Sequence, residues 1–213
     1  MRSVDVAVLI PIKAFHVAKA RMAPVLDEPS RERLARWTAE RVVGAADGAP
    51  VFVACDDERV ADWSTSHGAV VLWLPGLGLN PAVDAAVEAI ATRGFDHVII
   101  AHGDLPLPGA LRSVASPDTI TLVPDRRLDG TNVRSFPVRF RLAASYGPGS
   151  FQRHLDAALA TGGRVEVIRH PHLALDLDTP ADLAHPLATS LLEEVLPPWQ
   201  RTNPDSQTPL TRR

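Results

Sequence analysis

The chain has 213 residues, which fits one domain with a tail or at most two small ones, a choice length alone does not make, and 46% of them are hydrophobic, ample material for a single large core. Its 22 Lys and Arg stand against 25 Asp and Glu, a net charge of -3, so there is no general electrostatic pull toward nucleic acid or an anionic membrane, and phosphate recognition has to be local. The only cysteine, Cys55, excludes an intrachain disulfide, and the first apolar run (residues 6–10) is too short for a membrane span, so a cytoplasmic protein is expected, with no nucleic-acid or membrane partner.

In chain order, apolar runs at residues 6–10, 51–55, 69–74 and 97–101 predict strands. Helical spacing fills the gaps at residues 30–46, 58–66 and 81–92, with Ser30 expected as an N-cap and Pro81 in a first turn. Strand and helix in alternation, with continuous apolar strands, imply a mostly parallel sheet covered on both faces. The second half is less regular: strands are expected at residues 119–123, 138–142, 164–168 and 173–178, a helix at 151–160 and another after Pro180. No periodicity remains beyond Pro197, so residues 1–190 are expected to form the domain and 191–213 a partly disordered tail.

Ligands of an open parallel sheet bind beyond the carboxyl ends of its strands, so the residues after each strand are the candidates. After the first come Lys13, Lys19 and Arg21, in a loop without glycine: three cations placed to hold a triphosphate, or simply a solvated basic loop. After the fourth comes His102-Gly103-Asp104-Leu105-Pro106, where Asp104 either faces a ligand or caps a following helix. In Leu173-Ala174-Leu175-Asp176-Leu177-Asp178, strand periodicity puts Asp176 and Asp178 on one face, their β-carbons about 6 to 7 Å apart, and the leucines in the core. Two carboxylates so close require a cation, and magnesium suits them because it takes hard oxygen ligands and leaves positions for phosphate. The structural alternative, Asp178 as a cap for the helix near Pro180, leaves Asp176 unexplained. Gly147-Pro148-Gly149-Ser150-Phe151 opens a helix, so backbone amides and the Ser150 hydroxyl can converge on an anion, with Arg153 and His154 one turn on; an ordinary Ser cap explains it as well. Asp129-Gly130-Thr131-Asn132 reads as a turn carrying two side-chain donors.

Together these pieces resemble the guanylyltransferases of coenzyme F-420 biosynthesis, which join GTP to 2-phospho-L-lactate or phosphoenolpyruvate and release pyrophosphate. The resemblance runs from about Val8 to Leu183: Ile10-Pro11-Ile12-Lys13, Ala18-Lys19-Ala20-Arg21, Gly78-Leu79-Asn80, Asp104-Leu105-Pro106, Gly130-Thr131-Asn132, Gly147-Pro148-Gly149-Ser150-Phe151 with His154, and Asp176-Leu177-Asp178-Thr179-Pro180. It implies a nucleotide-diphospho-sugar transferase fold, an α/β/α sandwich on a mostly parallel mixed sheet. It also implies Asp104, Asp176 and Asp178 as magnesium ligands; Lys13, Lys19 and Arg21 against the GTP phosphates; and Gly78 and Asn80 near the nucleoside. Thr131, Gly147 and Ser150, with Asn132 and His154 beside them, would take a small phosphorylated three-carbon acid, and the product would pass to the downstream transferase of the pathway. Val133-Arg134 departs from the family pattern and places a cation where the acceptor acid would lie. The rival readings are a nucleotidyltransferase for a molybdopterin or sugar phosphate, which would usually open with a glycine-rich loop that residues 11–21 lack, and a catalytically silent nucleotide-binding module.

Overall fold

The uninterrupted apolar run of β1 (Val6–Pro11) sits inside a seven-stranded sheet in the computed structural model, which describes residues 5–196. The other strands are β2 (Val51–Cys55), β3 (Val70–Trp73), β4 (His97–Ala101), β5 (Thr119–Pro124), β6 (Thr131–Pro137) and β7 (Arg164–Val167), in the spatial order β3-β2-β1-β4-β6-β5-β7. β1 pairs in parallel with β2 and β4, β2 with β3, and β5 with β7, while β6 runs antiparallel between β4 and β5. The chain walks outward from β1 to β3, then crosses to β4 on the other side. That reversal opens a crevice beyond the carboxyl ends of β1 and β4, where open α/β sheets bind ligands.

Helices α1 (Glu28–Gly44) and α2 (Glu58–Ser66) cover one face through Ala35, Ala39, Val42 and Val60. Helices α3 (Leu79–Thr92) and α4 (Ser150–Ala160) cover the other through Val83, Ala86, Ile90 and Ala158. Two short C-terminal helices, α5 (Pro180–Leu183) and α6 (Pro186–Thr189), close a third cluster around Met22, Leu26, Leu175 and Leu177. Leu192, Val195 and Leu196 are buried in that cluster, so packing continues past the expected boundary at residue 190; the rest of the expected tail lies outside the described residues.

Several local expectations are corrected. The cap of α1 is Asp27, whose carboxylate accepts from the Ser30 N–H at 2.9 Å; Ser30 lies inside the helix because Pro29 already fits its first turn. The strand expected at 138–142 is a 3-10 turn (Val138–Phe140) ended by Arg141 in the left-handed region, φ 46°. The strand missed is β6, buried along its whole length although it carries Thr131, Asn132, Arg134 and Ser135. No helix follows Asp104 directly; the next turn, a 3-10 helix, begins at Leu111. Residues 173–178 are also not a strand, yet Leu173, Leu175 and Leu177 are buried as the alternation required. Hydrogen bonds to neighbouring loops hold that segment instead: Leu177 N–H to the Asp104 carbonyl at 3.2 Å, Arg126 N–H to the Ala174 carbonyl at 3.0 Å, and Asn132 Nδ2 to the Leu173 carbonyl at 3.0 Å.

Candidate active site

A cavity of about 390 Å³ opens at the β1/β4 crevice, walled by Lys13 and Lys19 from the first loop, His102, Gly103 and Asp104 from the loop after β4, and Asp178. The apolar part of its wall includes Phe15, Leu77 and Leu79, and the last two are exposed by 42% and 45%, a half-open shelf suited to a planar ring. Gly78 and Asn80, expected at the nucleoside, are not in the wall. Gly78 caps α3, and Asn80 spends both ends of its amide on the backbone of Tyr146, accepting from its N–H at 2.7 Å and donating to its carbonyl at 3.2 Å.

The Leu177 N–H bond to the Asp104 carbonyl holds the backbone of residues 176–178 against the loop that carries Asp104; Asp104 and Asp178 both line the cavity, and Asp176 lies close enough to feel the charge of Asp104. Lys19 Nζ lies 3.2 Å from Asp104 Oδ2, with only 6% of the lysine side chain exposed, and Arg21 Nη1 lies 2.7 Å from Asp178 Oδ2. Lys19 has φ 57°, a left-handed conformation that side chains seldom adopt outside sites that over-determine it. Burial alone would push Asp104 up; the Lys19 ammonium and His102 overcome it and hold the carboxyl below its ordinary value. Asp176, by contrast, is raised to about 6, first by burial and then by the negative charge of Asp104. Asp104 Oδ1 is buried with no hydrogen-bond partner. Among the described residues no group of three or more acidic, His or Cys side chains is gathered so as to hold a metal ion, and Lys19 and Arg21 lie against two of the three carboxylates. Asp178 does not cap α5. Thr179 does, in a reciprocal capping box with Asp182 whose sequence signal was Thr179-Pro180-Ala181-Asp182.

The candidate acceptor residues form a second group across Tyr146. His154 Nε2 accepts from the Ser145 N–H at 2.9 Å, so the neutral ring carries its proton on Nδ1 and donates it to Thr131 Oγ1 at 3.0 Å. The Thr131 hydroxyl, on a buried residue, acts as the acceptor in this contact, so its own proton is not spent on His154. Ser150 is buried, and Gly147, with φ 118°, makes a turn that favours glycine. The expected open amides at the start of α4 are not free: the Gly149 N–H bonds Asp129 Oδ1 at 3.0 Å, the Ser150 N–H bonds the Gly147 carbonyl, and the Phe151 N–H bonds the Asp129 carbonyl. Arg153 folds back onto Ser145 and Pro148 rather than toward Thr131. Asn132 is spent on the Leu173 carbonyl.

The buried histidines give this architecture an acid sensitivity. His154 is lowered to about 3 by burial and then by Arg134, and His97, bonded to Ser135 Oγ at 2.7 Å, to about 4 by burial and then by Arg139. Both are neutral in the fold and take protons only when unfolded once pH drops below about 6.5, so their stabilisation is present above that pH and lost as pH falls. Asp176 works in the opposite direction between its raised value and the ordinary carboxylate range, offsetting part of the loss. His102, also lowered by burial, acts in the same direction as the other two histidines, so a net loss of at least about 2 kcal/mol between pH 7 and pH 5 is expected in urea unfolding. Equal or greater stability at pH 5 would contradict the buried, neutral assignment.

A family model described as "Guanylyl transferase CofC like" matches residues 6–188. The chain belongs to this family. It is 36% identical over 189 residues to the phosphoenolpyruvate guanylyltransferase of Rubrobacter xylanophilus, spanning 84% of this chain and 92% of that one, and 31% identical over 184 residues to that of Sphaerobacter thermophilus, spanning 82% and 89%. Among solved structures it is similar to a protein described as a nucleotide-diphospho-sugar transferase from Desulfovibrio desulfuricans, with TM-score 0.69 at 14% identity over 90% of this chain and 95% of that one. It is also similar to a nucleotidyl transferase from Methanothermobacter, with TM-score 0.64 at 15% identity over 89% and 98%. The seven-stranded mixed sheet between helical layers is thus the nucleotide-diphospho-sugar transferase fold, as the resemblance implied. In this CofC-like chain the residues that reading from sequence missed are His102 and Tyr146, whose rings meet at 4.6 Å between the two groups, and Asp182 behind Asp178. None of the described helices is long and apolar enough to cross a membrane.

Proposed function

We propose that this guanylyltransferase joins GTP to phosphoenolpyruvate, or to the closely related 2-phospho-L-lactate, and releases pyrophosphate, a step of coenzyme F-420 biosynthesis carried out in the cytoplasm with hand-over to the downstream transferase. The reading is carried by one arrangement: Lys19 on Asp104 and Arg21 on Asp178, at the rim of a cavity shared with Lys13, in a chain 36% identical to a phosphoenolpyruvate guanylyltransferase. In this reading Lys13, Lys19 and Arg21 neutralise and align the nucleotide's phosphates and the Thr131 hydroxyl donates to the acid; Lys13 and Lys19 line the cavity, and Thr131 Oγ1 accepts from His154. The acceptor's phosphate oxygen bonds to the α-phosphorus as the bond from that phosphorus to the bridging oxygen breaks; the phosphate is already anionic, so no side chain has to remove a proton.

Two observations favour a divalent cation at this rim. Asp104 Oδ1 is buried and unpartnered, and Asp176 is raised to about 6, first by burial and then by the charge of Asp104, a load that a hard cation would relieve. Asp104, Asp176 and Asp178 would hold magnesium, which when bound would offset the charge developing on the phosphoryl oxygens. The test is pyrophosphate release from GTP with each acid, with the downstream transferase present to trap product. Release is expected to need GTP, acid and magnesium together. GTP binding without acid-dependent release would instead make the protein a silent nucleotide-binding module.

A further inference from the structure

Arg134 is the largest fully buried side chain of the described residues, 1% exposed, and it points from β6 into the helix α3 and α4 face of the sheet beside Phe136 and Tyr146. Its Nε donates to the Tyr146 hydroxyl at 3.1 Å and its Nη1 to the Ala143 carbonyl at 3.0 Å, but Nη2 is buried without a partner. No carboxylate among the described residues pairs with it. Asp84, which is near Tyr146, is engaged by the Ala144 N–H at 2.7 Å. A dry cation without a counter-ion is costly to keep, and stacking on two rings offsets only part of that cost.

Its position gives the charge a use. Arg134 lies three residues along β6 from Thr131, and it grips the segment Ala143 to Tyr146 that leads into Gly147, so it stands behind both flanks of the candidate acceptor group. Tyr146 is the relay: its ring meets His154 at 4.9 Å and the cavity-lining His102 at 4.6 Å. Because the Tyr146 oxygen accepts from Arg134, its own proton is directed away from the guanidinium.

We propose that Arg134 is the residue that makes this enzyme select an acceptor bearing a carboxylate, acting through Tyr146 as a positioning residue and as the fixed positive charge behind the acid's subsite. This rests on the proposed function for the identity of the acid. A sugar phosphate, lacking the second anion, would gain nothing from it.

The test is equilibrium binding, by calorimetry with magnesium and the α,β-methylene analogue of GTP, of phosphoenolpyruvate and of isopropenyl phosphate, the same enol ester with a methyl group in place of the carboxylate. Wild type should prefer phosphoenolpyruvate at least thirtyfold. Arg134→Met should cut that preference about tenfold, Arg134→Lys should restore most of it, and affinity for the nucleotide analogue alone should not move. Tyr146→Phe, which removes the relay hydroxyl with minimal change of shape, should also lower the preference and decides the matter if Arg134→Met does not fold. Equal weakening of both ligands in the variants, or a wild type that does not discriminate, would overturn the assignment. A carboxylate preference that depends on Arg134 without any pyrophosphate release would instead retain it and remove the proposed function.

Discussion

Asp104→Asn is expected to lower kcat/KM for guanylyl transfer by at least about a hundredfold, with the same loss for Asp176→Asn, because a preorganised charge at a phosphoryl-transfer site contributes about 3 kcal/mol or more to the barrier. The fold should survive, since it is the Asp104 carbonyl and not the side chain that receives the Leu177 N–H. Steady-state pyrophosphate release, with circular dichroism melting as control, reads both. Activity within tenfold of wild type in a folded Asp104→Asn protein would remove that carboxylate from the chemistry.

Asp182→Ala should be the most damaging substitution away from the cavity, at about 3 kcal/mol or more in urea unfolding. The carboxylate is 2% exposed; Oδ2 accepts from the Asp178 and Thr179 N–H groups and the Thr179 hydroxyl, while Oδ1 is gripped by Arg126. Those hydrogen bonds, with Arg126, overcome burial and hold Asp182 below the ordinary carboxylate value. Truncation orphans several donors at once and frees the segment that places Asp178, so activity should fall along with stability, and Asp182→Asn should recover part of both. A loss below about 1 kcal/mol would show that the loop is held by packing alone.

The first half of the fold was legible because its strands are continuous apolar runs: β2, β4 and α2 occupy the expected residues, and Cys55 is buried as a small hydrophobe. The second half resisted for two physical reasons. Hydrogen bonds satisfy many of the polar groups of β6, His97 to Ser135, His154 to Thr131 and Arg134 to Tyr146, so a fully buried strand looks hydrophilic in sequence. Residues 173–178 alternate like a strand because they have one buried face, but their backbone partners are loops. The site shows the same division. Asp104 and Lys19 were recognisable as charges after strands, whereas their pairing with each other, and the internal use of Asn80 and of the amides near Ser150, depend on contacts between residues far apart in sequence.

The bond from Leu177 to Asp104 joins a loop to a segment more than seventy positions downstream, after the last strand of the sheet. A nascent chain that has emerged only through β7 already has every strand it needs, yet it lacks two of the three acidic groups and the apolar plug, Leu175 and Leu177, that seats them. On the proposed function, competence for chemistry waits until this stretch has docked, and its local fraying would silence the enzyme while leaving the sheet intact.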